Sequence, residues 1–320
     1  MTSNASIDGV LIEWGERLFY PPNRIVKAHT PRLHAQQDRA AAIRSRIEAT
    51  VRRAPQVMVK VTGGGRGMAA IAAHFRYITK NGRLDVEDDR GVVERGKDAV
   101  REIERQWQFS GARIEREGHR REAFNIMLSM PRGTDPLTVQ FAAREFARIE
   151  FADHRYVMVL HDHQTNPHVH LSVKAESKHG RRLNPRKADL QCWRDTFAER
   201  LRERGVDAEA TRQATRGEVQ TRDALWRIRA KDASRLQSRR PNAKTGPAVR
   251  LSRGAALQAW KQIGMALAHS DKLEDRKLAR QIIDFVKDMP MFGHTRTPAR
   301  EMQRTEPQAV RTRRGPEMER

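Results

Sequence analysis

The feature that most constrains the fold of this chain is a pair of apolar runs joined by a short polar connection. RYVMVLH (155–161) and HVHLSVK (168–174) flank six polar or turn-forming residues, which include Asn166 and Pro167. Apolar runs of this length around a short turn are typical of an antiparallel β-hairpin. The sequence therefore predicts two paired strands, and the hairpin they form places a group of histidines.

Four of the twelve histidines of the chain fall within residues 161–170. Side chains two positions apart on a strand share a face, so His168 and His170 point the same way. His161 ends the preceding strand, and the connection brings it opposite that pair. The pattern predicts three converging imidazoles that hold a metal ion and leave some of its coordination positions open. A solvated, histidine-rich loop is the alternative, and the apolar strand before His161 makes it less favoured.

The charge of the chain predicts a polyanionic partner. With 62 Lys and Arg against 40 Asp and Glu, the formal net charge is +22. Nucleic acid is the commonest such partner, and arginine suits phosphate contact and base stacking. A merely basic surface is the alternative.

The single cysteine, Cys192, excludes an internal disulfide framework and a thiolate metal cluster. Residues 1–30 carry no apolar run of signal-peptide length, and no stretch approaches the roughly 20 apolar residues of a membrane span. These observations predict a soluble protein of a reducing cytoplasm, without stable membrane insertion.

Composition and periodicity divide the chain into four predicted parts. These are a basic, mobile or loosely docked N-terminal arm (1–54), a folded domain (55–212), an Arg-rich helical extension (213–289) and a disordered tail (290–320). Residues 36–53 of the arm could be helical. The extension is predicted to contain short helices at 254–268 and 273–288.

Within residues 55–212 the elements alternate in type. Strands are predicted at 57–61 and 123–131 besides the hairpin, and helices from Gly67 to Gly82, around 98–108, from the N-cap Asp135 to Phe151, and from Asn184 to Gly205. The order β-α-β-α-β-β-α indicates an α+β domain whose mainly antiparallel sheet is flanked by helices, followed by a basic helical C-terminal extension. TGGGRG (62–67) lacks the spacing of a nucleotide-binding loop, so that interpretation is disfavoured.

A metal ion on three neutral histidines would polarise a phosphodiester but supplies no nucleophile by itself. Serine, cysteine, aspartate and water are open candidates, and the chain has three tyrosines. Tyr20 lies in the arm, and alternation turns Tyr156 away from the histidines, which favours core packing. Tyr77 lies late in the second predicted element, where it is equally well explained as a half-buried helix aromatic. Its basic neighbours, which would favour a phosphate and are predicted to contact DNA, are Arg76, Lys80 and Arg83.

Two motifs resemble those of a known family. HDHQTNPHVHLSV (161–173) is similar to the metal motif, and HFRYITKNGRL (74–84) to the tyrosine motif, of conjugative relaxases. These are plasmid mobilisation nucleases of the HUH endonuclease superfamily with a MobA/VirD2-like nuclease domain. NIMLSMPRGTDP (125–136) and the segment 180–206 also resemble that family, so the similarity covers roughly residues 55–212.

The resemblance implies a site- and strand-specific transesterase that nicks DNA at an origin of transfer. Tyr77 would attack the phosphodiester and leave a 5′-phosphotyrosyl adduct with a free 3′-hydroxyl. His161, His168 and His170 would hold one divalent ion, Mg or Mn. Ser129, at the position of the family's second motif, would contact DNA near the nick.

The chain departs from the family's pattern at one position. An acidic residue is frequent two positions after the first histidine, where this chain has His163, and the adjacent Asp162 would point elsewhere. The turn position of His163 places it past the site. The group that orients a ligand or takes the tyrosine proton is therefore open, and His74, one helical turn before Tyr77, is a further candidate.

The implied partners are the single-stranded DNA of the origin of transfer, accessory mobilisation proteins, and a type IV coupling protein with its secretion channel. A separate helicase is implied because the chain has no helicase motif. The protein would act in the bacterial cytoplasm and could be translocated with its bound strand. Two other functions stay open, a rolling-circle replication initiator and a non-catalytic basic DNA-binding protein with structural histidines.

Overall fold

The computed structural model describes residues 4–20, 36–219 and 246–292. Most of the predicted disordered tail (293–320) and much of the predicted Arg-rich stretch (220–245) lie outside the described residues. Among the helices that are described, none has the length and apolar character needed to cross a membrane.

Among the described residues, two helices precede the sheet-forming part of the chain, and two follow it. The elements are α1 (Asn4–Phe19), α2 (Gln36–Val51), β1 (Met58–Gly63), α3 (Met68–Ile78), β2 (Val86–Asp88), β3 (Val93–Glu94), α4 (Lys97–Phe109), β4 (Ala123–Ser129), α5 (Pro136–Glu150), β5 (His154–His161), β6 (His168–Ser177), α6 (Lys187–Arg202), α7 (Pro247–Ala268), α8 (Leu273–Lys287) and a 3₁₀ turn (Pro290–Phe292).

Six strands form one sheet in the order β1-β4-β6-β5-β2-β3, and every neighbouring pair is antiparallel. The predicted α+β class is confirmed, and the predicted hairpin is β5–β6. The β2–β3 hairpin was not predicted. Strands of three and two residues are too short to show an alternating pattern, so the sequence carries little signal for them.

The two faces of the sheet pack against different helices. Helices α5 and α6 cover one face, and Tyr156 is buried there, as its position on β5 predicts. Helices α3 and α4 cover part of the other face, where Phe75 and Trp107 pack edge to face with their ring centroids 4.9 Å apart. Asp135 caps α5 by accepting a hydrogen bond from the Thr138 amide at 2.8 Å, which confirms the predicted helix start.

The glycine-rich run between β1 and α3 serves close packing. A Cβ on Gly64 would lie 2.2 Å from the carbonyl oxygen of Ala123 on β4, so only glycine fits there. The first amides of α3, which a phosphate loop would offer to its ligand, donate instead to the carbonyls of Glu115 and Arg116. The geometry therefore also disfavours a nucleotide-binding loop at this position.

The described N-terminal residues differ from the expectation of a mobile or loosely docked arm over 1–54. Helices α1 and α2 pack with α7 and α8 around a second hydrophobic core that includes Leu11, Ile47 and Trp260. The partners of α1 on α7 follow it by more than 200 residues, so no local pattern could reveal this part of the packing. The correction concerns this packing, and the limits of the four parts stay predictions.

The C-terminal helices follow the predicted pattern closely. Helix α8 covers the predicted segment 273–288 almost completely, and its Leu278, Ile282 and Phe285 are buried on one side. Helix α7 begins at Pro247, seven residues before the predicted start at 254. Proline at a first helical position is well tolerated because the amide it lacks would have no partner there.

A buried ion-pair network joins α2 to the sheet-forming part. The Arg46 guanidinium lies 3.0 Å from the carboxylate of Asp195 on α6 and 3.2 Å from that of Glu209. Burial alone would lower the pKa of Arg46, but the two carboxylates outweigh it and raise that pKa. Arg46 therefore stays charged inside the protein because the two carboxylates compensate for its burial.

Candidate active site

Strand pairing arranges the histidines in rows across the sheet. One row across β5, β6, β4 and β1 consists of His161, His168, Ser129 and Met58, and the next consists of Val159, His170, Met127 and Lys60. Directly paired residues of antiparallel strands place their side chains on the same face. All three histidines therefore point from rigid strands toward the face that carries α3.

The three imidazoles converge as the hairpin pattern predicts. The ring centroid of His161 lies 4.5 Å from that of His170 and 5.1 Å from that of His168. All three side chains are buried, and each offers one nitrogen such that these nitrogens lie within 4.8 Å of one another. This histidine cluster is a compact donor set without a carboxylate.

The hydrogen bonds of the cluster fit a bound metal ion. His161 Nε2 lies 2.7 Å from the carbonyl oxygen of Ile78, and His168 Nδ1 lies 3.0 Å from that of Asn166. Since only an N–H can donate to a carbonyl, the opposite nitrogen of each ring carries a lone pair. Among the described residues, the buried Nδ1 atoms of His161 and His170 have no hydrogen-bond partner. Buried polar atoms without partners are costly, and a metal ion would satisfy them.

Burial also sets the protonation of the cluster. Burial, together with the neighbouring imidazoles of His161 and His168, lowers the pKa of His170 to about 3. Burial is also the main cause of the lowered pKa of His161 and of His168. The three side chains are therefore neutral at neutral pH, which is the form that coordinates metals.

Tyr77 lies beside this cluster on the last turn of α3. Its side chain is 68% exposed, and its ring centroid lies 6.3 Å from that of His170. The buried Phe75 and Ile78 hold α3 against the sheet and thereby turn Tyr77 toward solvent. Tyr156 lies in the core on the opposite face, and Tyr20 packs against the second core. Of the three tyrosines, Tyr77 is the one placed next to the histidines.

The sequence also matches a family at this site. Residues 77–206 match the sequence model of the family described as relaxase, MobA/VirD2-like, nuclease domain. The chain contains a relaxase-family nuclease domain. A search of curated proteins found no match.

The relaxase domain extends in space beyond the matched residues. Strand β1 lies before the match, yet it pairs with β4 inside it. The first core likewise includes Val57 and Val59 before the match and Ala208 and Ala210 after it. The match supports a DNA endonuclease at the general level, and Tyr77 and the motif 161–173 both lie within the matched residues.

Two further histidines border the cluster of the relaxase domain. The ring centroid of His74 lies 6.1 Å from that of Tyr77, and burial lowers the pKa of His74 to about 4. His163 is exposed, but its ring centroid is only 5.2 Å from that of His161, so it lies at the rim rather than past the site. The Asp162 carboxylate is exposed and 4.0 Å from His163 Nδ1. Which of them takes the tyrosine proton stays a prediction.

The turn that follows Tyr77 has an unusual backbone. Lys80, Asn81 and Gly82 have φ angles of 50°, 59° and 80°, so three consecutive residues are left-handed. The Gly82 amide donates to Thr79 Oγ1 at 3.1 Å, which holds the turn. Left-handed non-glycine residues cost free energy and concentrate at functional sites. The turn keeps Lys80 close enough that its charge contributes to the lowered pKa of His161.

The residues predicted to contact DNA lie in different environments. Lys80 and Arg83 are exposed, whereas Arg76 is paired with Glu104 at 3.0 Å. Ser129 is only 4% exposed, and its hydroxyl donates to the carbonyl of Pro167 at 3.2 Å. Its burial argues against a direct DNA contact. Sequence reasoning did not foresee this burial because it depends on the register between β4 and β6.

Proposed function

We propose that this protein is a relaxase that nicks one DNA strand by transesterification on Tyr77. The observation that carries the proposal is the position of Tyr77, exposed to solvent with its ring 6.3 Å from that of His170. The relaxase-family match and the net charge of +22 support DNA as the substrate.

The proposed step exchanges one phosphate ester for another. Tyr77 Oη attacks the phosphorus, a bond forms between them, and the bond from phosphorus to the 3′ oxygen breaks. The phenol loses its proton and the departing 3′ oxygen gains one, so the products are a 5′-phosphotyrosyl adduct and a 3′-hydroxyl. Because the adduct is again a phosphate ester, the 3′-hydroxyl can attack it and rejoin the strand.

His161, His168 and His170 would hold one divalent ion, Mg or Mn, through the lone pairs described above. When bound, such an ion supplies positive charge that stabilises the negative charge developing on the scissile phosphate. The neutral imidazoles leave that charge undiminished, and the carbonyls of Ile78 and Asn166 fix two of the rings.

In the cell, the proposed substrate is the single strand at an origin of transfer, and the proposed process is conjugative transfer or mobilisation. Accessory mobilisation proteins, a coupling protein of a type IV secretion channel and a separate helicase would act with it. The protein would act in the bacterial cytoplasm and could travel with the attached strand. These partners follow from the resemblance of the two motifs.

The test of the nucleophile is formation of a covalent adduct. The full chain is incubated with single-stranded oligonucleotides from its own genetic element plus Mn or Mg, then denatured and separated by electrophoresis. We expect a denaturant-resistant adduct, abolished in Tyr77→Phe and retained in Tyr20→Phe, the matched control in the second core. An adduct formed by Tyr77→Phe would refute the assignment.

The test of the metal site uses binding as well as cleavage. His170→Ala is expected to weaken Mn binding in a calorimetric titration by at least about tenfold, because one of three ligands is lost. His179→Ala, an exposed histidine outside the cluster, is the matched control. Equal Mn affinity in the two variants would exclude the three-histidine site.

A further inference from the structure

Part of the sheet face that carries the histidine cluster is left exposed among the described residues. Helices α3 and α4 pack over Ala123, Val157 and Val159, which leaves the β1 and β4 side of the face free. Four residues form this open strip, two of them exposed and two half-buried: Met58, Lys60, Asn125 and Met127. It contains no acidic side chain, and Lys60 gives it a positive charge.

The open strip is continuous with the histidine cluster. Met127 pairs directly with His170, and Lys60 pairs with Met127 on the far side. At the usual spacing of neighbouring strands, the Lys60 backbone lies about 10 Å from that of His170. A strand of DNA with its phosphate at the cluster would therefore reach the strip with its next nucleotides.

Asn125 is the residue of the strip with a fixed polar group. Its Oδ1 accepts a hydrogen bond at 3.1 Å from the hydroxyl of Ser172, a side chain with no solvent exposure. The amide is thereby oriented, and its Nδ2 is left to donate elsewhere. Residue 63, which pairs with Asn125, is a glycine, and a Cβ built there would come within 4.0 Å of Nδ2. The absent side chain gives a ligand access to this donor.

We propose that the open strip binds single-stranded DNA beside the scissile phosphate, with Asn125 reading one base. Asn125 Nδ2 donates to an acceptor atom on that base, and Lys60 contacts a phosphate. An unpaired base exposes the edge that an amide recognises, and the methionines offer apolar contact to its ring. The identity of the strand rests on the proposed relaxase function.

The experiment selects a random single-stranded DNA pool on the full chain and sequences the bound molecules. We expect one position with a strong base preference in the wild type that is lost in Asn125→Ala. The affinity for the preferred sequence should fall about tenfold, within the range of one specific base contact, while that for other sequences changes little. Asn184→Ala, exposed and outside the strip, is the matched control.

Lys60→Gln separates phosphate contact from base reading. It is expected to weaken binding to all sequences alike and to reduce the salt dependence of affinity by about one unit of slope. Lys277→Gln on α8 is the control. A base preference that changes in Lys60→Gln but not in Asn125→Ala would overturn the assigned roles.

Cross-linking of the unaltered protein covers the case in which Asn125→Ala folds poorly. Pool DNA carrying 5-iodouracil is irradiated on the wild type, and we expect cross-links in the peptides that contain 58–60 and 125–127. Cross-links confined to other segments would overturn the proposal, as would the same preference in wild type and Asn125→Ala. Absence of any adduct with Mn or Mg would refute the proposed function alone, since selection and cross-linking measure binding without cleavage.

Discussion

At the scale of single residues, Ser129 shows how a motif residue can act through the backbone. Its hydroxyl and the Met130 amide both donate to the carbonyl of Pro167, which directly precedes His168. The end of β4 therefore holds the turn from which one histidine of the cluster emerges. This position relates Ser129 to the geometry of the histidine cluster more directly than to a DNA-binding surface.

Ser129→Ala is accordingly expected to weaken Mn binding by about fivefold, the equivalent of one hydrogen bond of roughly 1 kcal/mol. DNA affinity measured in a chelator should not change. Thr134→Ala removes a comparable hydroxyl-to-carbonyl bond from an exposed turn and serves as the control. Unchanged Mn affinity together with weaker DNA binding would instead support the direct DNA contact that the resemblance implies for Ser129.

At the scale of elements, the end of α3 is coupled to the hairpin. The helix ends at Ile78, whose carbonyl accepts from His161, and the left-handed turn then packs against the segment before α4. A Cβ on Gly82 would lie 2.4 Å from the carbonyl carbon of Gly96. The position of Tyr77 thus depends on a turn in which residue 82 has room for glycine alone.

Gly82→Ala is expected to lower the free energy of unfolding by more than Gly180→Ala does. Both glycines are left-handed, with φ of 80° and 74°, and alanine there costs about 1–2 kcal/mol. Only Gly82 adds a clash, which costs about 1–3 kcal/mol more, because nothing lies within 4 Å of a Cβ on Gly180. Chemical denaturation measures both, and equal losses would show that the close packing is not important.

The elements that could be predicted from the sequence are those with local signals. Alternation in β1, the apolar runs of the β5–β6 hairpin and the Asp135 cap of α5 predicted their elements, and the spacing of His161, His168 and His170 predicted their convergence. The packing of α1 depends on partners far along the chain, and the burial of Ser129 depends on strand register. The orientation of the Asn125 amide was not predictable for the same reason, since Ser172 contacts it only across paired strands.

At the scale of the whole molecule, two cores are joined through buried charges. Arg46→Ala removes the buried guanidinium that neutralises the carboxylates of Asp195 and Glu209 and is expected to cost about 3–5 kcal/mol of stability. Arg52→Ala removes an exposed pair with Asp207 at 3.7 Å and should cost less than about 1 kcal/mol. Similar losses in thermal or denaturant unfolding would contradict a structural role for the buried network.

The buried histidines predict how stability depends on pH. Burial lowers the pKa of His74 to about 4 and of His170 to about 3, and also lowers that of His154. The unfolded chain binds protons below about pH 6.5, whereas the folded chain excludes them. The contribution of these neutral histidines to the free energy of unfolding is therefore fully present above about pH 6.5, and it decreases as the pH falls below that value. Melting temperatures in a chelator should decrease between pH 7 and pH 5, and a constant value would contradict this.

The second core brings helices from both ends of the described chain together, with the sheet between them in sequence. A pulling force applied to either end would therefore reach α1 or α8 before any strand of the sheet. Helical packing would yield first, and on the N-terminal side the edge strand β1 would then peel from β4 one hydrogen bond at a time. A translocation motor that pulls this chain from one end would therefore have to unfold the helices before the force reached the β5–β6 hairpin.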